Sequence, residues 1–246
     1  MTQETQKEKC KYCHHEVSNH FCANCGRPRK LTKIDGPYIL SEIGDVLNLK
    51  KGFLFTVREL VLRPGLSVRK YMLEDRRRLV KPIVFVIVCS LIYSLLRQWL
   101  GFEDGYVGVG ASDWKDSAVL AVFEWISKNY GYINVLMAVF VAFWIKIFFR
   151  KYGYNFFEIL VLLWYVMGVG MLLFAILGIF DSLTGLKVLD TGSILLFIYL
   201  AWGIGQFFDK KKKINYLKAF FAYMLGMITF MVFAMGVGLL IDWWVK

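Results

Sequence analysis

Residues 156–180 read Phe-Phe-Glu-Ile-Leu-Val-Leu-Leu-Trp-Tyr-Val-Met-Gly-Val-Gly-Met-Leu-Leu-Phe-Ala-Ile-Leu-Gly-Ile-Phe. The single charge, Glu158, stands at the edge of the run. A bilayer core is crossed by about 20 apolar residues, so this stretch reads as a transmembrane helix. Working outward, four more runs qualify: 82–100, 131–149, 192–208 and 217–241. The run at 192–208 is short and the run at 217–241 long, which tilt or packing must absorb. Hydrophobic residues make up 57% of the 246 and aromatics 17%. That composition excludes an ordinary water-soluble domain and predicts an all-α polytopic membrane protein with five spans. The first 35 residues are polar and carry no apolar signal-peptide core. Trp99, Trp114, Trp125, Trp243 and Trp244 fall near the predicted interfaces, which suits amphipathic rings.

Charge gives the orientation. With the amino terminus in the cytosol, all but five of the 30 Lys and Arg lie on the cytosolic side. These include Arg76, Arg77, Arg78 and Lys81 before the first span, Arg150 and Lys151 between the second and third, and Lys210, Lys211, Lys212 and Lys213 between the fourth and fifth. Arg97, Lys115, Lys128, Lys187 and Lys246 fall outside, against eight acidic residues. This positive-inside pattern predicts a multi-pass inner (cytoplasmic) membrane protein with its carboxy terminus outside. It also accounts for the net charge of +11 without a nucleic-acid partner. The Arg76–Lys81 and Lys210–Lys213 clusters are candidate contacts for anionic lipid at the inner membrane surface.

Residues 1–35 hold Cys10-x2-Cys13-x8-Cys22-x2-Cys25. Each Cys-x2-Cys turn presents two thiolates to one side of an ion, and a second turn closes a tetrahedral zinc site. Gly26 suits the tight turn after the second pair. The segment has almost no other apolar residues, so metal would have to supply its core. The expected cofactor is one structural zinc per chain, with no open coordination position for catalysis. Other readings compete. Cys10–His14 matches the c-type haem attachment motif, whose chemistry belongs outside the cytosol. Disulfides or a thiol-exchange pair are a further alternative. His14, His15 or His20 could replace one sulfur, although four suitably spaced cysteines favour exposed loop histidines. Cys89 stands alone inside the first span as a small packing residue.

Residues 36–80 read as amphipathic helices on the inner leaflet, or packed against the cytosolic ends of the spans. Ile39, Leu40, Ile43, Val46 and Leu47 recur at helical spacing. Residues 53–62 form a run too short to span, Pro64-Gly65 break it, and a further short helix is expected from Ser67 to the Arg76 cluster. Residues 81–246 are the transmembrane domain.

No Ser/His/Asp set, HExxH motif or phosphate loop is visible, and no histidine follows His20. Arg97, Lys146, Glu158, Asp209 and Lys218 sit at span ends, within snorkelling reach of an interface. A structural ion pair between Lys146 and Glu158 is expected across their shared turn. The chain is therefore read as non-enzymatic. Small residues recur at packing intervals, at Gly168 and Gly170 and in the pairs Ala201/Gly205, Ala222/Gly226 and Ala234/Gly238. They serve bundle packing or, alternatively, a homo-oligomer or hinge.

The blocks Met167–Met171 and Met235–Leu239 resemble one another, each following a Phe-Phe pair and a basic turn. Their spacings from Phe148 and Phe207, 19 and 28 residues, differ by more than two helical turns. Hairpin duplication and coincidence both remain readings of this similarity.

The knuckle ending Phe21–Gly26, the run Lys51–Leu60, Arg63-Pro64-Gly65, Tyr71-Met72-Leu73 and Arg76–Pro82 together resemble an uncharacterised bacterial zinc-ribbon membrane-protein family. The resemblance covers roughly residues 10–90. His14 departs from it, where a glycine is expected after the first knuckle. Five spans with a cytosolic amino terminus also resemble Yip-family architecture, a likeness of topology alone. The reading that follows is a membrane adaptor whose ribbon binds a protein partner or braces the membrane domain. A transporter, channel or lipid-handling protein is the alternative, and it would need a continuous polar cavity lined by Asn134, Tyr165, Gln206 and Thr229.

Overall fold

A computed structural model describes residues 8–10, 13–17, 20, 22–26, 52–101, 117–185 and 188–245. The helix expected from Ile39 to Leu47, and Trp114, lie outside these. The chain divides into two compact units, residues 1–47 and 48–246.

In the first unit, β1 (Glu8–Lys9) pairs antiparallel with β2 (Glu16–Val17), Glu8 opposite Val17 and Lys9 opposite Glu16. This two-residue ladder is too small to hold a fold by itself.

The second unit is helical: α1 (Phe53–Leu62), α2 (Pro64–Leu73), α3 (Pro82–Leu100), α4 (Ala118–Lys128), α5 (Tyr130–Phe148), α6 (Phe156–Thr184), α7 (Val188–Asp209) and α8 (Lys213–Val245). Five of these, α3 and α5 to α8, contain stretches long and apolar enough to cross a membrane. The five expected apolar runs thus all fall on candidate membrane-crossing helices, with α6, α7 and α8 each longer than their apolar runs. At about 1.5 Å per residue, α6 and α8 reach about 43 and 50 Å, well past a core of about 30 Å.

Helix α6 is the hub, packing on α1, α2, α3, α5 and α7. Gly168 and Gly170 set this up. A side chain on Gly168 would meet Phe85 of α3 at 2.9 Å, and one on Gly170 would meet Leu196 of α7 at 3.1 Å. Tyr165 stands beside Phe85 and Phe174 beside Tyr93, so α3 and α6 run parallel. The α6 N-terminus is closed by a capping box: Asn155 Oδ1 accepts from Glu158 N and Glu158 Oε2 accepts from Asn155 N. That arrangement corrects the expected Lys146–Glu158 pair. Lys146 instead donates to the carbonyl of Tyr154, and a carboxylate in the first turn is already well placed against the helix dipole.

The remaining small residues line intramolecular contacts. Gly205 faces Tyr216 between α7 and α8, Gly226 faces the Val141 backbone of α5, and Gly238 faces the Val119 backbone of α4. Ala201, Ala222 and Ala234 are buried. The two glycine blocks are not equivalent. Gly168 lies within the first half of α6, whereas Gly236 and Gly238 fall near the far end of α8. Asn155 caps α6, whereas Asn215 lies inside α8, bonded to Tyr152 Oη. Cys89 is fully buried against α6, as a packing residue.

Helix α4 is an element the sequence reading did not identify. Its apolar stripe, Val119, Phe123 and Ile126, is buried, and the helix packs along α8. Ser117 caps it, accepting from Val119 N, and Asp242 near the end of α8 accepts from the Ser117 hydroxyl and from Ala118 N. A carboxylate on free amides at a helix N-terminus is favourable for both its charge and its geometry.

The short helices also differ from expectation. The break falls at Arg63, and Pro64-Gly65 open α2 rather than separate it, because proline at the first helical position loses no hydrogen bond. Leu60 and Val68 are fully buried, so α1 and α2 pack into one end of the bundle against α6 and α7. Thr56 joins α1 to the segment before α3, donating to Gly52 O and accepting from Val80 N. Tyr165 Oη donates to Val80 O at 2.6 Å, and Tyr199 Oη to Leu60 O at 3.1 Å.

The bundle has two chemically distinct ends. Residues 52–81, 146–156 and 207–216 meet at one, where Phe149 stacks on Phe208 at 3.9 Å. At the other, Arg97 binds Ser127, Ser182 binds Leu100 O, and Asp242 binds Ser117. Arg76–Lys81, Arg150, Lys151 and Lys210–Lys213 all belong to the first end. Trp99, Trp125, Trp243 and Trp244 are exposed at or near the second.

Candidate metal centre

Each Cys-x2-Cys turn is built by local backbone bonds. His14 N donates to Cys10 O, Cys10 N to His15 O, and Gly26 N to Cys22 O. The residue after each second cysteine is left-handed, His14 at φ 56° and Gly26 at φ 69°. The two knuckles therefore share one geometry, and histidine occupies the position where the resemblance calls for glycine. Histidine is among the side chains that enter this region more readily than most, at some cost in strain.

The knuckles aim all four sulfurs at one point. Cys10 and Cys25 Sγ are 3.6 Å apart, Cys13 and Cys22 Sγ 3.5 Å, and all four lie within 4.8 Å of one another. A disulfide needs about 2.05 Å, and none of the four is joined in one. An ion held tetrahedrally about 2.3 Å from each thiolate gives sulfur–sulfur edges of about 3.8 Å, close to the Cys10–Cys25 and Cys13–Cys22 separations. Four cysteines at 10–25 can thus hold a metal ion.

The local environment fits that role. The Cys25 backbone amide holds the Cys22 thiol below its ordinary range, favouring the thiolate that metals bind. Val17 is the one buried apolar neighbour besides the cysteines among the described residues, so little else would hold these loops together. His14, His15 and His20 are exposed and stand outside the cluster. Ala23, Asn24, Cys25 and Gly26 form an exposed tip.

The polar residues proposed as a channel lining are not gathered in this way. Tyr165 is bound to Val80, Gln206 Oε1 accepts from Gly65 N and Leu66 N, and Thr229 bonds back to Leu225 and Gly226 of its own helix. Trp144 Nε1 donates to Thr229, and Asn134 is buried on α5.

Among the basic residues, Arg78 is drawn into structure, paired with Glu59 at 3.0 Å and lying over the Phe55 ring. Arg76, Arg77 and Lys81 are exposed. Two functional-looking residues were missed by the sequence reading. Arg63 and Arg69 border a cavity with Lys210 and Lys211, and only the docking of α2 on α7 brings them there.

No curated protein and no solved structure matches the chain. Residues 51–94 match DUF3667, a family described as protein of unknown function. The matched segment comprises α1, α2, the Arg76–Lys81 connection and the first part of α3, and the cysteine cluster lies outside it.

Proposed function

We propose that the chain is a non-enzymatic adaptor or accessory protein of the bacterial inner membrane, with a cytosolic zinc ribbon that recognises a protein partner. The observation that carries this reading is the closed cysteine cluster. All four sulfurs lie within 4.8 Å of one another, and an ion bound by all four would keep no open position for a substrate, which supports a structural clip. Zinc is the metal most consistent with an all-thiolate tetrahedral set. The exposed knuckle tip, Ala23–Gly26, offers the surface for recognition.

Orientation follows the positive-inside pattern. The end that gathers Lys210–Lys213 and Arg76–Lys81 faces the cytosol, and the Trp243–Trp244 end faces outward. The bundle anchors the ribbon. Tyr165, Gln206 and Thr229 are each bonded to nearby backbone rather than arranged along a path, which favours anchorage over solute passage. Specific solute flux in liposomes reconstituted with the purified protein would overturn that part of the reading.

The direct test is affinity purification of the full chain from native membranes in mild detergent, beside a Cys22→Ser/Cys25→Ser variant. A partner present with the parent protein and lost with the variant is the expected result. An unchanged set of partners, with the metal gone, refutes recognition by the ribbon.

A further inference from the structure

Helix α2 and the C-terminus of α7 cap one another. Gln206 Oε1 accepts from Gly65 N at 2.9 Å and from Leu66 N at 3.4 Å, satisfying free amides of α2. In return, the Arg69 guanidinium donates to the carbonyls of Phe207 and Phe208, closing α7 and lying over the Phe207 ring. Beside this joint is a cavity of about 500 Å³ lined by Arg63, Leu66, Arg69, Gln206, Lys210 and Lys211. Asp209 also borders it, but that carboxylate is engaged by Lys211 N at 3.0 Å and by Lys212 Nζ at 3.6 Å.

Four cations therefore face one cavity with a single, already occupied carboxylate among them. Among the described residues, Arg63, Lys210 and Lys211 make no ion pair. The buried Nε of Arg69 has no partner either. Like charges held together at a membrane interface repel, and a multivalent oxyanion placed among them reverses the sign of that interaction.

We infer that this cavity binds a phosphate-bearing anion, with Arg63, Lys210 and Lys211 as its recognition residues and Arg69 fixing the floor. Guanidinium and ammonium donors around one tetrahedral anion are the usual composition of phosphate sites. Basic pockets at the cytosolic ends of membrane helices take lipid headgroups by the same chemistry. Exposed Leu66 lines the cavity, and exposed Leu62 precedes Arg63 in the chain, which provides apolar surface for acyl chains. The inference is independent of what the ribbon binds.

The test uses the full chain in mild detergent, with native mass spectrometry reading retained lipid after exposure to equimolar phosphatidylglycerol and phosphatidylcholine. A separate arm measures binding of inorganic phosphate alone. The parent is compared with Arg63→Gln/Lys210→Gln/Lys211→Gln and with Arg150→Gln/Lys151→Gln, which removes exposed charge from a neighbouring turn. Melting of each variant in lipid-free detergent checks that it is folded. The expected result is at least a tenfold preference for phosphatidylglycerol that falls about tenfold in the triple variant and persists in the double variant. Phosphate binding lost in the triple variant, without a lipid preference, supports the same site with a soluble ligand. Neither preference nor phosphate binding, or equal loss in both variants, overturns the proposal.

Discussion

Gly65→Ala isolates the joint between α2 and α7. An added Cβ would lie 2.2 Å from Phe207 N, 2.5 Å from Gln206 C and 2.7 Å from Phe207 Cα. All three are backbone atoms of a buried helix, so no rotamer change relieves the clash. Restoring ordinary contact of about 3.5 Å requires α2 to withdraw by about 1.3 Å. That displacement stretches the 2.9 Å bond from Gly65 N to Gln206 Oε1 beyond hydrogen-bonding range, and it strains the bonds from Arg69 to Phe207 and Phe208. Overpacking costs about 1–3 kcal/mol and each lost hydrogen bond about 1 kcal/mol, while alanine regains up to about 1 kcal/mol of helix propensity. The net loss is about 3 kcal/mol, or roughly 10 °C in Tm for a chain of this size. Gly236→Ala is the internal control. It lies in α8 with nothing within 4 Å of an added Cβ, so the same substitution should be neutral or slightly stabilising. Thermal unfolding of both variants in one detergent reads the difference. Equal melting temperatures for Gly65→Ala and Gly236→Ala would refute the close packing of α2 on α7.

Three further outcomes follow from particular contacts. His14→Gly should relieve the left-handed strain at φ 56°, stabilising the loaded ribbon by up to about 1 kcal/mol and lowering its metal dissociation rate, read by competition with a chromophoric chelator. Asp242→Ala should free the α4 N-terminus at a cost of about 1 kcal/mol, with hydrogen exchange rising in residues 118–123 and unchanged in α6. Tyr165→Phe should leave Val80 O without its donor, lowering stability by about 1–2 kcal/mol in the same thermal assay.

The five candidate spans were legible because length and hydropathy alone define them. The cysteine cluster was legible from spacing, since two short turns have few ways to arrange four sulfurs. What hid from the sequence was pairing. Gly65 looked like a helix breaker, yet its role is set by Phe207, 142 residues away. Likewise Gln206 looked like a channel-lining side chain, and only the docked α2 shows its carbonyl as a cap. Small-residue spacing identified Gly226 and Gly238 as contact points without saying which helix each would meet. Two misses had readable signals. Asn155 and Glu158 stand three apart before an apolar run, a capping box that already engages the acid assigned to Lys146. Ser117 before Val119, Phe123 and Ile126 announced α4, but 11 residues fall below the length of a span and drew no attention.

The central claim is a closed four-thiolate metal site at the amino terminus, and metal content with sulfur coordination tests it most directly. Full-length protein purified without added metal or chelator should contain about one zinc per chain, with an absorption-edge spectrum fitting four sulfur neighbours at about 2.3 Å. Cys13→Ser/Cys22→Ser should abolish it while the membrane helices remain folded. Metal-free parent protein with Cys10, Cys13, Cys22 and Cys25 joined as disulfides, or carrying a haem absorption band, would contradict the account.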